Sequence, residues 1–233
     1  MNDHIIKPIA KIYNSFDSKF AIPRQSGILN KMKSEIIFEK EFCVEEAFRG
    51  IDGFSHLWLI WRFSDNPQGK WSPTVRPPKL GGNKRMGVFA TRSPFRPNSL
   101  GLSSVKLAEV KKTKEKGIYL VVYGADLLNG TPIYDVKPYL PFSDIHPDAT
   151  SGFTDNIESR ELSVVVPPGL QNITDKETLD TIIAILKQDP RPGFHEDSQR
   201  IYGFSFEKME IKFKVDDKTL YVTDIIKGDN KNE

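Results

Sequence analysis

The chain has one cysteine, Cys43, in 233 residues. No internal disulfide can form, and such usage points to a reducing compartment. Long apolar runs are missing as well. The opening MNDHIIKPIAKIYN holds no stretch of signal-peptide length, and no segment approaches a membrane span. Together these absences predict a soluble cytoplasmic protein with no membrane partner. Nucleotide-site glycine patterns are also lacking. No strand leads into G-x-G-x-x-G, which removes the usual dinucleotide and Rossmann methyltransferase signature. Gly82 and Gly87 are spaced as in a phosphate loop, but Val88 and Phe89 stand where Lys and Ser/Thr are required. The four histidines, His4, His56, His146 and His195, are scattered, so no metal site is expected. GLSSV is not a nucleophile elbow. Any catalysis is expected to work by binding and orienting.

Acidic residues are missing from one long stretch. Residues 66–108 carry Lys70, Arg76, Lys79, Lys84, Arg85, Arg92, Arg96 and Lys106 with no Asp or Glu. The net charge of +2 hides this, because residues 1–150 sum to +7 and residues 151–233 to −5. A basic zone without counter-ions invites an anionic partner. The competing reading is a solvated basic surface, but these charges lie among Pro, Gly and aromatic residues, unlike a solvated helix face.

What is present reads mainly as β. SHLWLIWRF (55–63) and GIYLVVYGADL (117–127) are apolar on both alternating faces, as in strands buried on two sides. Met86, Val88 and Ala90 can share a strand face, and VEEAFRG (44–50) reads as a short helix closed by Gly50. KKTKEK (111–116) reads as a solvated hairpin tip. The long Pro/Gly stretches at 66–83 and 129–142 exceed hairpin turns, and such loops are often functional. The polar segment 151–160 suggests a boundary, giving domains 1–150 and 151–233. In the second, residues 174–190 predict a helix with a Thr174–Glu177 capping box and a stripe of Leu179, Ile182, Ile183 and Leu186. MEIKFKVDD (209–217) alternates with Met209, Ile211, Phe213 and Val215 inward, and TLYVTDIIK (219–227) is its expected partner. This makes a small α+β domain.

FAIPRQSG (20–27), FSHLWLIWRF (54–63), WSPTVRPPKLGGNKRMGVFATRSPFRPNSLGLS (71–103), LLNGTPIYDVKPYLPF (127–142) and QDPRP (188–192) occur in this order. Together they closely resemble the TrmO family of tRNA methyltransferases, densely over 20–142 and thinly across 151–187. The resemblance implies S-adenosylmethionine as methyl donor and N6 of threonylcarbamoyl-adenosine, next to the tRNA anticodon, as acceptor. It also implies a β-barrel catalytic domain rather than a Rossmann fold, a small C-terminal domain and a homodimer. Two departures stand out: Ser99 where members often carry Pro, and Asn129 where Asp is common.

Methyl transfer from a sulfonium needs alignment and desolvation. The acceptor nitrogen is urea-like, and a positioned carboxylate or phenol that removes its proton helps. Asp135 is the first candidate base and Tyr139 the second. The cofactor set implied by the resemblance is Pro23, Arg24 and Gln25, then Ser64, Asp65, Arg92 and Leu102, then Asn129, Gly130 and Thr131. Arg85, Arg96, Lys137 and Arg191 are assigned to RNA, since guanidinium forks match phosphate and carboxylate oxygens. Trp71 and Phe95 offer rings for base stacking, while Trp58, Trp61 and Phe63 read as core. A non-catalytic RNA-binding barrel and a methyltransferase with another acceptor are the alternatives that the basic zone also admits.

Overall fold

A computed structural model describes residues 5–18, 22–23, 25–64, 71–77, 80, 84–155, 161–191 and 197–228. Contacts divide the chain into two compact units, residues 1–14 with 25–157, and residues 15–24 with 158–233. A single cut at residue 150 keeps 15–24 in the first domain, whereas these residues group with the second unit.

The first unit is built on six strands: β1 (Ala10–Tyr13), β2 (Lys33–Phe38), β3 (His56–Arg62), β6 (Leu100–Thr113), β7 (Gly117–Tyr123) and β8 (Pro132–Pro138). They close into a barrel in the order β1-β2-β7-β6-β3-β8, with every pairing antiparallel. Ile12, Ile36, Leu57, Leu59, Leu120, Leu127 and Ile133 are fully buried in its interior. Burying each such side chain is worth about 1.5–3 kcal/mol. The two apolar runs behave differently. Ile118 to Val122 of β7 are all buried, as two-sided burial predicts. In β3 only Leu57, Leu59 and Trp61 are buried, while Trp58 and Ile60 on the outer face keep part of their surface. A barrel has one inside, and an apolar run alone does not say whether its other face is covered.

The hairpin tip at 111–116 forms as expected, with Thr113 opposite Gly117. Gly117 sits at φ +67, and a Cβ there would lie 2.6 Å from the Cys43 sulfur. That sulfur accepts a hydrogen bond from the Ile118 N–H at 3.1 Å, so the lone cysteine packs against the start of β7. The short helix expected at 44–50 is a 3-10 turn, Glu45–Phe48, followed by Gly50 at φ +84. The strand expected around 86–90 is shorter. Only β5 (Met86–Gly87) pairs, with β4 (Thr74–Val75), and Val88–Ala90 turn as a 3-10 helix that buries Val88. A one-turn helix, α1 (Pro141–Asp144), follows β8.

The second unit is a four-stranded sheet. Its order is β10 (Tyr202–Phe206), β11 (Met209–Asp216), β12 (Thr219–Lys227) and β9 (Ser163–Val165), the last pair parallel. Met209, Ile211, Phe213 and Val215 face inward as their alternation predicts. Phe16 is fully buried in this unit, with its ring 6.2 Å from that of Phe206. The helix α2 spans Lys176–Lys187. Its cap is Asp175 rather than Thr174, because Asp175 Oδ1 accepts from the Thr178 N–H at 2.9 Å. The fully buried stripe is Ile182, Ile185 and Leu186, with Leu179 and Ile183 at its half-exposed margin. Among the described residues no helix is long and apolar enough to cross a membrane.

Candidate active site

The barrel's registers fix where the connections fall. Tyr13 lies opposite Glu35, Tyr123 opposite Lys33 and Lys106, and Trp61 opposite Gly101 and Ile133. The chain leading into β2, the chain from β3 to β6 and the turn from β7 to β8 therefore emerge at one end. Gln25, Ser64, Arg92, Leu102 and Asn129–Thr131 all belong to that end, drawn from sequence positions more than a hundred residues apart.

Several contacts hold this end in shape. Arg92 Nη1 donates to Gln25 Oε1 at 2.5 Å, so two residues expected at the cofactor meet directly. The Gly27 N–H donates to the Gly124 carbonyl at 2.8 Å, which straps the 25–32 turn to the segment after β7. The Phe63 N–H donates to the Ser99 carbonyl at 3.0 Å and ties the basic loop to the end of β3. Ser99 adopts φ +47, a value closed to a proline ring. The Asn129 side-chain oxygen accepts from the Asn14 N–H at 3.1 Å. An aspartate oxygen can accept the same bond, so asparagine at this position keeps the turn. Gly130 sits at φ +78 with open space where a Cβ would stand, leaving its backbone approachable. Thr131 is 1% exposed, so its side chain faces protein and the open side of the turn belongs to Asn129 and Gly130. Leu102 is 56% exposed on the outside of β6, free to meet a flat ligand.

The arginines divide by what they touch. Arg85 and Arg92 are exposed. Arg85 Nη1 donates to Thr74 Oγ1 at 3.0 Å. Arg96 braces its own loop, donating to the Thr91 carbonyl at 2.7 Å and the Val88 carbonyl at 3.2 Å, with Phe89 under its guanidinium. Among the described residues none of Arg76, Arg85, Arg92 and Arg96 forms an ion pair. Trp71 and Phe95 are exposed in the same connection, 53% and 44%.

Asp135 and Lys137 lie on β8 and pair with each other at 2.9 Å. Asp135 Oδ1 also accepts from the Val136 N–H at 3.0 Å. In register, Asp135 stands beside Ile60 of β3, and Ile60 stands beside Leu102 of β6, so Asp135 and Leu102 share one cross-strand row. Tyr139 is not brought to this end. Its N–H donates to the His56 carbonyl at the start of β3, and its ring lies 5.4 Å from Trp58. Trp58, expected in the core, is half-buried and donates to Asp144 Oδ2 at 2.9 Å. Arg191 belongs to the second unit, where its guanidinium clasps Asp189 at 2.7 and 2.8 Å. Pro23 is buried in the 15–24 segment of that unit, and Arg24 and Asp65 lie outside the described residues.

One carboxylate at this end was not among the expected site residues. Asp126 Oδ1 accepts from Ser103 Oγ at 2.6 Å, and Ser103 Oγ accepts from Trp61 Nε1 at 2.9 Å. Burial pushes the Asp126 carboxyl above the usual carboxylate range, while Ser103, backbone N–H groups and the charge of Arg92 pull the other way.

Two family models cover most of this chain: the tRNA-methyltransferase O N-terminal domain matches residues 11–145 and the TrmO C-terminal domain residues 165–228. The chain belongs to the TrmO family. A tRNA (adenine(37)-N6)-methyltransferase of Escherichia coli (strain K12) is 37% identical over 225 residues, covering 93% of this chain and 95% of the relative. One from Eikenella corrodens is 41% identical over 170 residues, 70% of this chain and 92% of the relative. A crystal structure of TrmO from Pseudomonas aeruginosa superposes with a TM-score of 0.78 at 29% identity, covering 98% of this chain and 99% of the other. In this TrmO chain, the sequence did carry a signal for Asp126. It is the one acid between Glu115 and Asp135 and stands directly behind the apolar run of β7.

Proposed function

We propose that this chain transfers a methyl group from S-adenosylmethionine to N6 of adenosine 37 of tRNA, on a nucleotide that already bears a threonylcarbamoyl group. The observation that carries this reading is the barrel end to which Gln25, Arg92 and the Asn129–Gly130 turn belong, where among the described residues Arg85 and Arg92 are exposed and form no ion pair. Family membership and relatives named for S-adenosylmethionine dependence and binding support it.

The residues at this end fit the methyl donor. Its carboxylate suits the exposed Arg92 fork, its adenosine suits the exposed Leu102 face, and the Gly130 backbone admits close approach. When bound, S-adenosylmethionine supplies a methyl group on a cationic sulfur that departs as a neutral thioether. Asp135 takes the proton from the acceptor N6 as that nitrogen's lone pair forms the new bond to carbon. The Val136 N–H and Lys137 hold the Asp135 carboxylate as an acceptor on the row it shares with Leu102. Arg85 and Lys137 receive the substrate's anionic groups, and Arg96 fixes the loop that presents Arg92. Trp71 and Phe95 stack on anticodon-loop bases. The barrel unit carries the cofactor and the chemistry, the second unit, which takes in residues 15–24, forms a separate C-terminal domain, and the enzyme works in the cytoplasm as a homodimer.

The test is methyl transfer from labelled S-adenosylmethionine into two tRNA pools, one carrying threonylcarbamoyl-adenosine and one lacking it. Label is expected in the first pool only. Equal label in both would remove the threonylcarbamoyl requirement, and label in neither would remove the methyltransferase reading.

A further inference from the structure

Asp126 is a carboxylate with a built environment and no role in the chemistry described above. Its geometry has a defined polarity. An indole N–H only donates, so Trp61 fills the acceptor side of Ser103 Oγ, and the Ser103 hydroxyl hydrogen points onward to Asp126 Oδ1. Ser103 is 1% exposed and Trp61 6%, so this chain of bonds is dry until it reaches Asp126. Gly101 makes room for it: a Cβ there would lie 2.3 Å from the Trp61 ring. The N–H groups of Ser26 and of Asp126 itself also address the carboxylate. Asp126 is only partly buried, and Arg92, the exposed cation of the same end, is the positive charge it feels.

An anion aimed by Ser103 and a cation held by Gln25, both at the same end of the barrel, match a zwitterion. We propose that Asp126 receives the α-ammonium group of the cofactor's amino-acid end, while Arg92 receives its carboxylate. This inference rests on the methyltransferase reading of the site. Ser103 and Trp61 are then positioning residues, which aim the carboxylate through the Ser103 hydroxyl. Burial of the carboxylate adds to its selectivity, because a half-desolvated charge rewards a cationic partner over water.

The test is calorimetric binding of three ligands to the full chain: S-adenosylmethionine, S-adenosylhomocysteine and 5′-methylthioadenosine. The last two share adenosine and a neutral sulfur and differ in the amino-acid end. Asp126→Asn should weaken the first two ligands on the order of ten- to a hundredfold, the range of a charge-assisted hydrogen bond. Its affinity for 5′-methylthioadenosine should stay within about twofold. Equal weakening of all three ligands would mean a structural or ribose role and overturn the proposal. Weakening of S-adenosylmethionine alone would name the sulfonium as the partner and overturn it too. Ser103→Ala, which keeps the carboxylate but removes its aim, should show the same ligand selectivity in weaker form. It decides the matter should Asp126→Asn fail to fold, and uniform weakening by it would overturn the proposal. Wild-type protein that binds no S-adenosylmethionine would overturn the methyltransferase reading itself, whereas a normal wild type with unselective variants overturns only the role of Asp126.

Discussion

Three lysines of the hairpin and four arginines of the connection at the other end of the barrel are treated in opposite ways. At the hairpin end Lys111 pairs with Glu109, Lys112 with Glu45 and Lys116 with Glu35. At the other end Arg85 and Arg92 face solvent, and no described acid pairs with them or with Arg76 and Arg96. Paired surface cations are largely neutralised locally and add little stability. Cations presented without partners keep their field for a ligand. The difference lies in the neighbours rather than in the charge count.

The largest effect expected at the site end concerns the Asp135–Lys137 pair. Asp135→Asn should lower single-turnover methyl transfer about 10²- to 10⁴-fold, the usual worth of a general base. S-adenosylmethionine affinity should stay normal, as calorimetry would check. Arg92→Ala should weaken that affinity roughly ten- to a hundredfold. Unchanged binding would move Arg92 into the same class as the hairpin lysines. Gly101→Ala tests the scaffold beneath the site. Its Cβ would enter the Trp61 ring at 2.3 Å, so denaturant unfolding should report a loss of about 1–3 kcal/mol. Asp126 gives a pH signature. Its carboxyl is raised by burial, so the folded chain holds a proton there over a window where the unfolded chain does not. Wild-type stability should therefore fall, relative to Asp126→Asn, as pH rises from the ordinary carboxylate range through the raised value. The smallest effect belongs to the hairpin. Lys112→Gln/Lys116→Gln should leave tRNA affinity within about twofold.

The sequence foretold parts of the molecule that depend on local pattern. The alternation of Met209–Val215 dictated β11, and the buried run at 118–122 dictated β7. It misjudged what depends on neighbours. The outer face of β3 stays half open because nothing in HLWLIWR states what lies beyond it. Asp175 took the cap from Thr174 because its backbone is extended just before the first helical turn. Family motifs singled out Gln25, Arg92, Leu102 and Asn129, which the fold brings to one end of the barrel, but what each side chain touches was not legible in them. Arg96 and Arg92 are four residues apart in one motif, yet one binds its own loop and the other faces outward. Asp126 carried no motif because its environment is set by Ser103 and Trp61, on strands that no local spacing connects to it.

The measurement that tests the central comparison most directly is the salt dependence of tRNA affinity for two variants of equal charge loss. Arg76→Gln/Arg85→Gln removes two cations at the site end, and Lys112→Gln/Lys116→Gln removes two at the hairpin. Each lost phosphate contact should reduce the slope of log affinity against log salt by about 0.9 for duplex and about 0.7 for single strands. The account predicts a reduction of one to two such steps for the arginine variant and an unchanged slope for the lysine variant. Equal reductions in both would show that net charge alone attracts the RNA and would contradict the division between the two ends.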